Sequence, residues 1–139
     1  MSTRAIYTFK GFGETYHVFK HHDGYPSGAA GFLEATLTKA WDLPRYEPDE
    51  FACAFIAANK TGSGDLRLAR SRTSEADVEF GYTISPVGKP NGGDRGFLHI
   101  RVVATDYWDG KRKETLIWQG GLMTFIARAA EIQKEYYEE

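Results

Sequence analysis

The chain is poor in several things that would announce a function. It has one cysteine, Cys53, in 139 residues, which excludes an intramolecular disulfide framework and a cysteine-rich zinc site. Cys53 stands in the apolar run Phe51-Ala52-Cys53-Ala54-Phe55 and reads as a buried thiol used as a small hydrophobe, not as a nucleophile. Lys and Arg number 17 against 19 Asp and Glu, a formal net charge of −2. Bulk nucleic-acid binding, which calls for a marked basic excess, is therefore not expected. No apolar run approaches the ~20 residues of a membrane span, and Met1-Ser2-Thr3-Arg4 leads directly into a strand pattern without a signal-peptide core. A cytoplasmic protein without membrane partners is the expectation. There is no Gly-x-Ser-x-Gly elbow, no phosphate-loop Gly-Lys-Ser and no His-x-x-x-His pair on a helix. Nothing implies a cofactor. Internal repeats, linkers and low-complexity tracts are also missing, and the length suits one domain at 1–139.

What is present is a pattern of alternation broken by turn residues. Residues 4–10 and 14–22 are rich in β-formers and are separated by Gly11-Phe12-Gly13, which predicts an antiparallel hairpin. Leu33, Leu37, Ala40 and Trp41 recur at helical spacing, and that helix should stop before Leu43-Pro44. Glu47-Pro48-Asp49-Glu50 opens a second helix, with proline suited to the first turn and acidic side chains favoured by the dipole. Leu66 and Leu68 alternate with Arg67, and Val78, Phe80, Tyr82 and Ile84 with Glu79, Gly81 and Thr83, as in strands wet on one side. The segment from Val87 to Gly96 reads as a long loop. Phe97 to Thr105 reads as a fifth strand and Thr115 to Gln119 as a sixth, with Asp109-Gly110 supplying the bend between them. Leu122, Phe125, Ile126, Ala129 and Ile132 give a closing amphipathic helix, and Glu135 to Glu139 should fray. The expected fold is α+β: an antiparallel sheet with order ββααββββα and helices packed on it.

One stretch organises the candidate site: His21-His22-Asp23-Gly24-Tyr25-Pro26-Ser27-Gly28. Asp23-Gly24 is a turn dipeptide and Pro26 pushes Tyr25 out of the helical region, so the chain must bend. Ser27 is a good N-cap, and the small residues after it leave a helix N-terminus bare, which attracts anions. Close packing of helix on sheet would call for the same small residues. His21, His22 and Asp23 are metal-ligand types, but adjacent strand residues point to opposite faces, and His17 and His21 lie roughly 13 Å apart along a strand. A metal site is not expected. Arg4, Lys20, His21 and His22 could instead gather by Ser27 and Gly28 to hold an anionic group beside the Asp23 turn, with Tyr25 stacking on a planar ring. Arg67, Arg70 and Arg72, and again Arg95, His99 and Arg101, read as solvated strand faces. Tyr107 and Trp108 beside their Asp-Gly turn suggest an exposed aromatic pair of the kind found at interfaces.

Thr3-Arg4 before a strand, then a second strand ending in His-His-Asp-Gly-Tyr-Pro-Ser-Gly-Ala-Ala, resembles a group of small proteins common in phages, prophages and bacteria. In that group a near-N-terminal Thr-Arg-Ser segment precedes an aromatic, basic stretch and Asp-Gly-Tyr-Pro. Here Ala5 stands where Ser is usual, and the likeness covers about the first third of the chain. The group has no settled activity, and the resemblance implies a phage or mobile-element origin, hence host cytoplasm. The leading expectation is a non-enzymatic, oligomeric binding protein for a small anionic, nucleotide-like ligand, in the manner of phage proteins that sequester a nucleotide signal of host defence. An interaction or inhibitor module using exposed aromatics is the alternative. A hydrolase dependent on His21 or His22 is the third reading, because an imidazole titrates in the range that general acid-base catalysis needs.

Overall fold

The computed structural model describes residues 3–11, 13–40, 46–86 and 98–138. The expected loop from Val87 to Gly96, and the helix stop at Leu43-Pro44, lie outside the described residues. The elements follow in the order β1 (Ala5–Lys10), β2 (Thr15–Lys20), α1 (Pro26–Lys39), α2 (Pro48–Asn59), β3 (Leu66–Ala69), β4 (Phe80–Pro86), β5 (Leu98–Trp108), β6 (Lys111–Gly121) and α3 (Leu122–Tyr137). The fold is α+β, with six strands in one sheet in the order β3-β2-β1-β4-β5-β6.

The sheet is mixed, which corrects the antiparallel expectation. β1 pairs antiparallel with β2 but parallel with β4, in the register Ala5↔Phe80 to Phe9↔Ile84. The cause is topological. β3 lies beyond β2 at one edge, so the chain from β3 must recross the sheet before β4 can form, and it arrives running in the direction of β1. Residues 70–79 make that crossing. Their ends are fixed by Glu79 N–H donating to the Arg4 carbonyl and by the Tyr107 hydroxyl bonding to the Val78 backbone.

All three helices lie on one face. There Ala5, Tyr7, Phe9, Val18, Phe80, Tyr82 and Ile84 from the sheet meet Leu33, Phe55, Phe125 and Ile132 from the helices in one continuous core. The aromatics interlock, with the Tyr7 ring 4.5 Å from Phe55 and 5.1 Å from Tyr82. On the other face the crossing segment buries a small second cluster of Ile6, Phe19 and Val78.

Several limits differ from expectation. β2 ends at Lys20 and not at His22, although His21 still donates its N–H to the Asp65 carbonyl at 2.9 Å, in line with the Lys20↔Leu66 pairing. α1 starts at Pro26 with Tyr25 as N-cap, not with Ser27 in that place; proline, whose φ is already helical and whose missing N–H has no intrahelical use, takes the first position. β5 and β6 are longer than expected and form a hairpin closed at Asp109 (φ 51°) and Gly110 (φ 73°), a pair of positive φ values that matches the strand twist. β6 carries a bulge opposite Val102/Val103. α3 continues through Tyr137, where fraying was expected, because Tyr136 and Tyr137 pack edge-on against Phe80. Cys53 is exposed, not buried. The inward stripe of α2 is Phe51, Ala52, Ala54 and Phe55, which leaves position 53 on the outer side. No helix among the described residues is long and apolar enough to cross a membrane.

Candidate functional site

The Asp-Gly-Tyr-Pro turn is built by close backbone approach. Asp23 adopts φ 58°, a value that asparagine and aspartate tolerate better than most residues. Gly24 donates its N–H to the Thr3 carbonyl (2.9 Å), and its own carbonyl accepts the buried Tyr82 hydroxyl at 2.5 Å. A Cβ at Gly24 would lie 2.5 Å from the Ala5 Cβ, and one at Gly28 would lie 2.1 Å from the Asp23 carbonyl oxygen. Glycine is required at both places to let α1 meet the sheet. Tyr25 is half-buried against the core, and its hydroxyl reaches Asp23 at 3.4 Å.

The first turn of α1 is not bare. Gln133 of α3 places Oε1 2.8 Å from both the Ser27 backbone N–H and the Ser27 hydroxyl. Ser27 thus faces the α1–α3 groove with Ala30, Gly31 and Ala130. The donors expected to meet an anion are held by a neighbouring helix.

Lys20 is displaced from its expected role in the opposite sense. It is 3 % exposed, lies on the helix side of the sheet with its Nζ 4.4 Å from the centre of the Phe32 ring, and forms a 2.9 Å ion pair with Asp65. Burial alone would raise the Asp65 carboxyl. Hydrogen bonds from Lys20 and the Thr61 backbone N–H, with the Lys20 charge and the Thr61 hydroxyl, outweigh it and hold the carboxyl below its ordinary value. That pair fastens the 61–65 loop to the end of β2.

The histidines remain accessible, and they meet. With the strand already ended, the His21 and His22 rings contact edge to face with centroids 4.6 Å apart. Together with Thr61, Gly62, Ser63, Gly64, Asp65 and Arg67 they line a shallow cleft of about 490 Å³ at the β3 edge of the sheet. Arg67 enters from β3, stacked 4.5 Å over the Phe19 ring and also paired with Glu75. Burial first, then the charges of Arg4, His22 and Arg67, push the His21 imidazole below its ordinary pKa, with Asp65 opposing more weakly. The surroundings of His21 are net positive: Lys20 and Thr61 already occupy the one carboxylate lining the cleft.

The residues of the expected site are thus divided. His21 and His22 line the cleft, Arg4 contributes charge beside it, and Asp23 is exposed at the turn. Lys20 supports the cleft from beneath, while Tyr25, Ser27 and Gly28 are committed to packing. The Thr61-Gly62-Ser63-Gly64-Asp65 run and Arg67 were not among the expected site residues. The run carried a signal in its glycines, with Gly64 at φ 83°, but it reads locally as a helix ending. Arg72 and Glu114 pair across the crossing segment, so Arg72 is no free strand-face cation. Among the described residues no group of three or more His, Cys, Asp or Glu is placed to hold a metal ion.

No protein-family model matches the chain, and neither a curated protein nor a solved structure matches it significantly.

Proposed function

We propose that the protein binds a small anionic, nucleotide-like ligand without chemical turnover, in the cleft between the end of β2 and the 61–65 loop. The observation that supports this most is the pairing of His21 with His22 beside Arg67 over a Gly-Ser-Gly loop. Two imidazoles supply donors and a flat surface, Arg67 supplies the part of its guanidinium that Glu75 leaves unused, and Ser63 with the glycine backbone supplies small donors that let a phosphate approach. Asp65 does not repel an anion strongly, because Lys20 neutralises it. Among the described residues the nucleophiles beside the histidines in the cleft are the Thr61 and Ser63 hydroxyls. Thr61 donates its hydroxyl to Asp65, which leaves it bonded to a carboxylate and not to an imidazole base. For a phage-encoded protein, sequestration of a nucleotide signal is the biological form that binding without turnover would take.

The test is calorimetric titration of the protein with a panel of nucleoside mono-, di- and cyclic phosphates, followed by chromatography of the released ligand. Saturable binding, ligand recovered intact, and at least tenfold weakening in His22→Ala and Arg67→Ala are expected. A panel without binding, or recovery of a hydrolysed product, would refute the reading.

A further inference from the structure

The edge of the sheet opposite the cleft carries a second feature. β5 and β6 end in the tip Tyr107-Trp108-Asp109-Gly110-Lys111-Arg112-Lys113. Trp108 is 75 % exposed, the most exposed large hydrophobic side chain among the described residues. It pairs across the hairpin with Lys111, one step beyond the Tyr107↔Arg112 and Asp106↔Lys113 pairs. A pocket of about 330 Å³ opens between Trp108, Asp109, Lys111, Arg112 and Lys113. Arg112, which pairs with Tyr107, lies on the opposite face from Trp108, Lys111 and Lys113, and its Nε and Nη2 are screened from solvent with no hydrogen-bond acceptor. The nearest carboxylate, Glu114, is 3.6 Å from Nη2 and is shared with Arg72.

We infer that this hairpin tip is a contact site for single-stranded nucleic acid, with one base stacked on Trp108 and the adjoining phosphates held by Lys111 and Lys113, which share its face. Single-strand binders combine a flat aromatic with a cationic track in this way, and the site needs no basic excess over the whole chain. Three features set this partner above others. Lysine is depleted at protein interfaces, whereas here two lysines flank the arginine. A bilayer-inserting tip would present apolar side chains at its apex, but the apex is Asp109-Gly110, and a carboxylate is costly to bury in hydrocarbon. The pocket is of a size for one planar group beside one ring, not a broad apolar patch. The site is independent of the histidine cleft.

Fluorescence anisotropy of a labelled twelve-nucleotide oligothymidylate or oligouridylate tests the inference on the full chain. Binding should weaken about sevenfold between 50 and 200 mM salt, the slope for two neutralised phosphates on a single strand. Trp108→Ala should weaken it about fivefold or more, and Lys111→Gln with Lys113→Gln should lower both affinity and salt slope. Lys10→Gln, on an exposed residue of β1 outside the tip, should change nothing. Unchanged far-ultraviolet dichroism establishes that each variant is folded. No oligonucleotide binding, binding indifferent to Trp108→Ala, or sedimentation with phosphatidylserine vesicles in its place would overturn the assignment.

Discussion

Removing one member of the Lys20–Asp65 pair should be among the costliest single polar changes in the protein. Both side chains are buried, at 3 % and 7 % exposure, and their charged atoms meet at 2.9 Å. Asp65→Ala leaves an ammonium with only the Phe32 ring for company, and losing one partner of a buried pair costs about 3–5 kcal/mol. For a chain of this length that is a fall in Tm of roughly 10 °C or more. Replacing both members, as Lys20→Met with Asp65→Asn, leaves no buried charge, and methionine can keep the contact with Phe32. The double variant should therefore be more stable than Asp65→Ala by at least about 2 kcal/mol. Equilibrium urea unfolding of the wild type, the single variants Asp65→Ala and Lys20→Met, and the double variant measures this directly. The wild-type stability should also depend on acid. A carboxyl held low in the folded state contributes stability above its unfolded pKa, near 4, and loses that contribution as pH falls through the folded value. The loss due to Asp65 thus belongs below about pH 4. A single variant costing under about 1 kcal/mol, or a double variant as unstable as the two singles summed, would refute the reasoning.

Tyr7→Phe and Tyr82→Phe should move stability in opposite directions. The buried Tyr7 hydroxyl has no hydrogen-bond partner, so its removal should be neutral or stabilising by about 1 kcal/mol, whereas Tyr82 gives up its bond to the Gly24 carbonyl and should lose about 1–2 kcal/mol by urea titration. Gly31→Ala meets nothing within 4 Å in an exposed helical position and should stabilise by up to about 1 kcal/mol, while Gly28→Ala should unfold the junction or cost several times that, as read by Tm. Gln133→Ala should cost about 1 kcal/mol by freeing the α1 N-terminus. The His17 imidazole, kept low by burial and by Arg72 while bonded to Thr8, should titrate below 6.5 in a proton NMR series, and its contribution to stability should fade as pH drops from 6.5 through that value.

Local signals in the sequence carried the elements well and their assembly poorly. Pro26 and Pro48 each mark a helix start, because proline's constraint acts within one residue. The alternation from Phe80 to Ile84 marks a strand for the same reason: facing is set by a period of two. The β1–β4 pairing joins residues about 75 positions apart, such as Ala5 and Phe80, and nothing within either strand states whether its neighbour will run parallel. The site follows the same division. His21 and His22 were legible as candidates, but their mutual contact depends on β2 having ended at Lys20, ahead of the turn. Lys20 looked like one more cation beside a ligand; only the arrival of Asp65 from 45 positions away makes it a buried support. Ser27 has the side chain of an N-cap, yet Pro26 precedes it and Gln133 takes its donors.

The parallel seam between β1 and β4 has a consequence for how the molecule can be divided. On one side of it lie β1, β2, β3, α1 and α2, all from the first half of the sequence; on the other lie β4, β5, β6 and α3, all from the second. Each half closes its own strands through antiparallel neighbours. The two halves meet along the β1–β4 ladder and where Gln133 of α3 reaches Ser27 of α1. A chain cut within 70–79 would thus yield two fragments with complementary open edges, each suited to re-forming the intact sheet when mixed with the other. Their reassociation would be bimolecular, and its rate set against the folding rate of the intact chain would measure what the covalent connection contributes to forming this ladder.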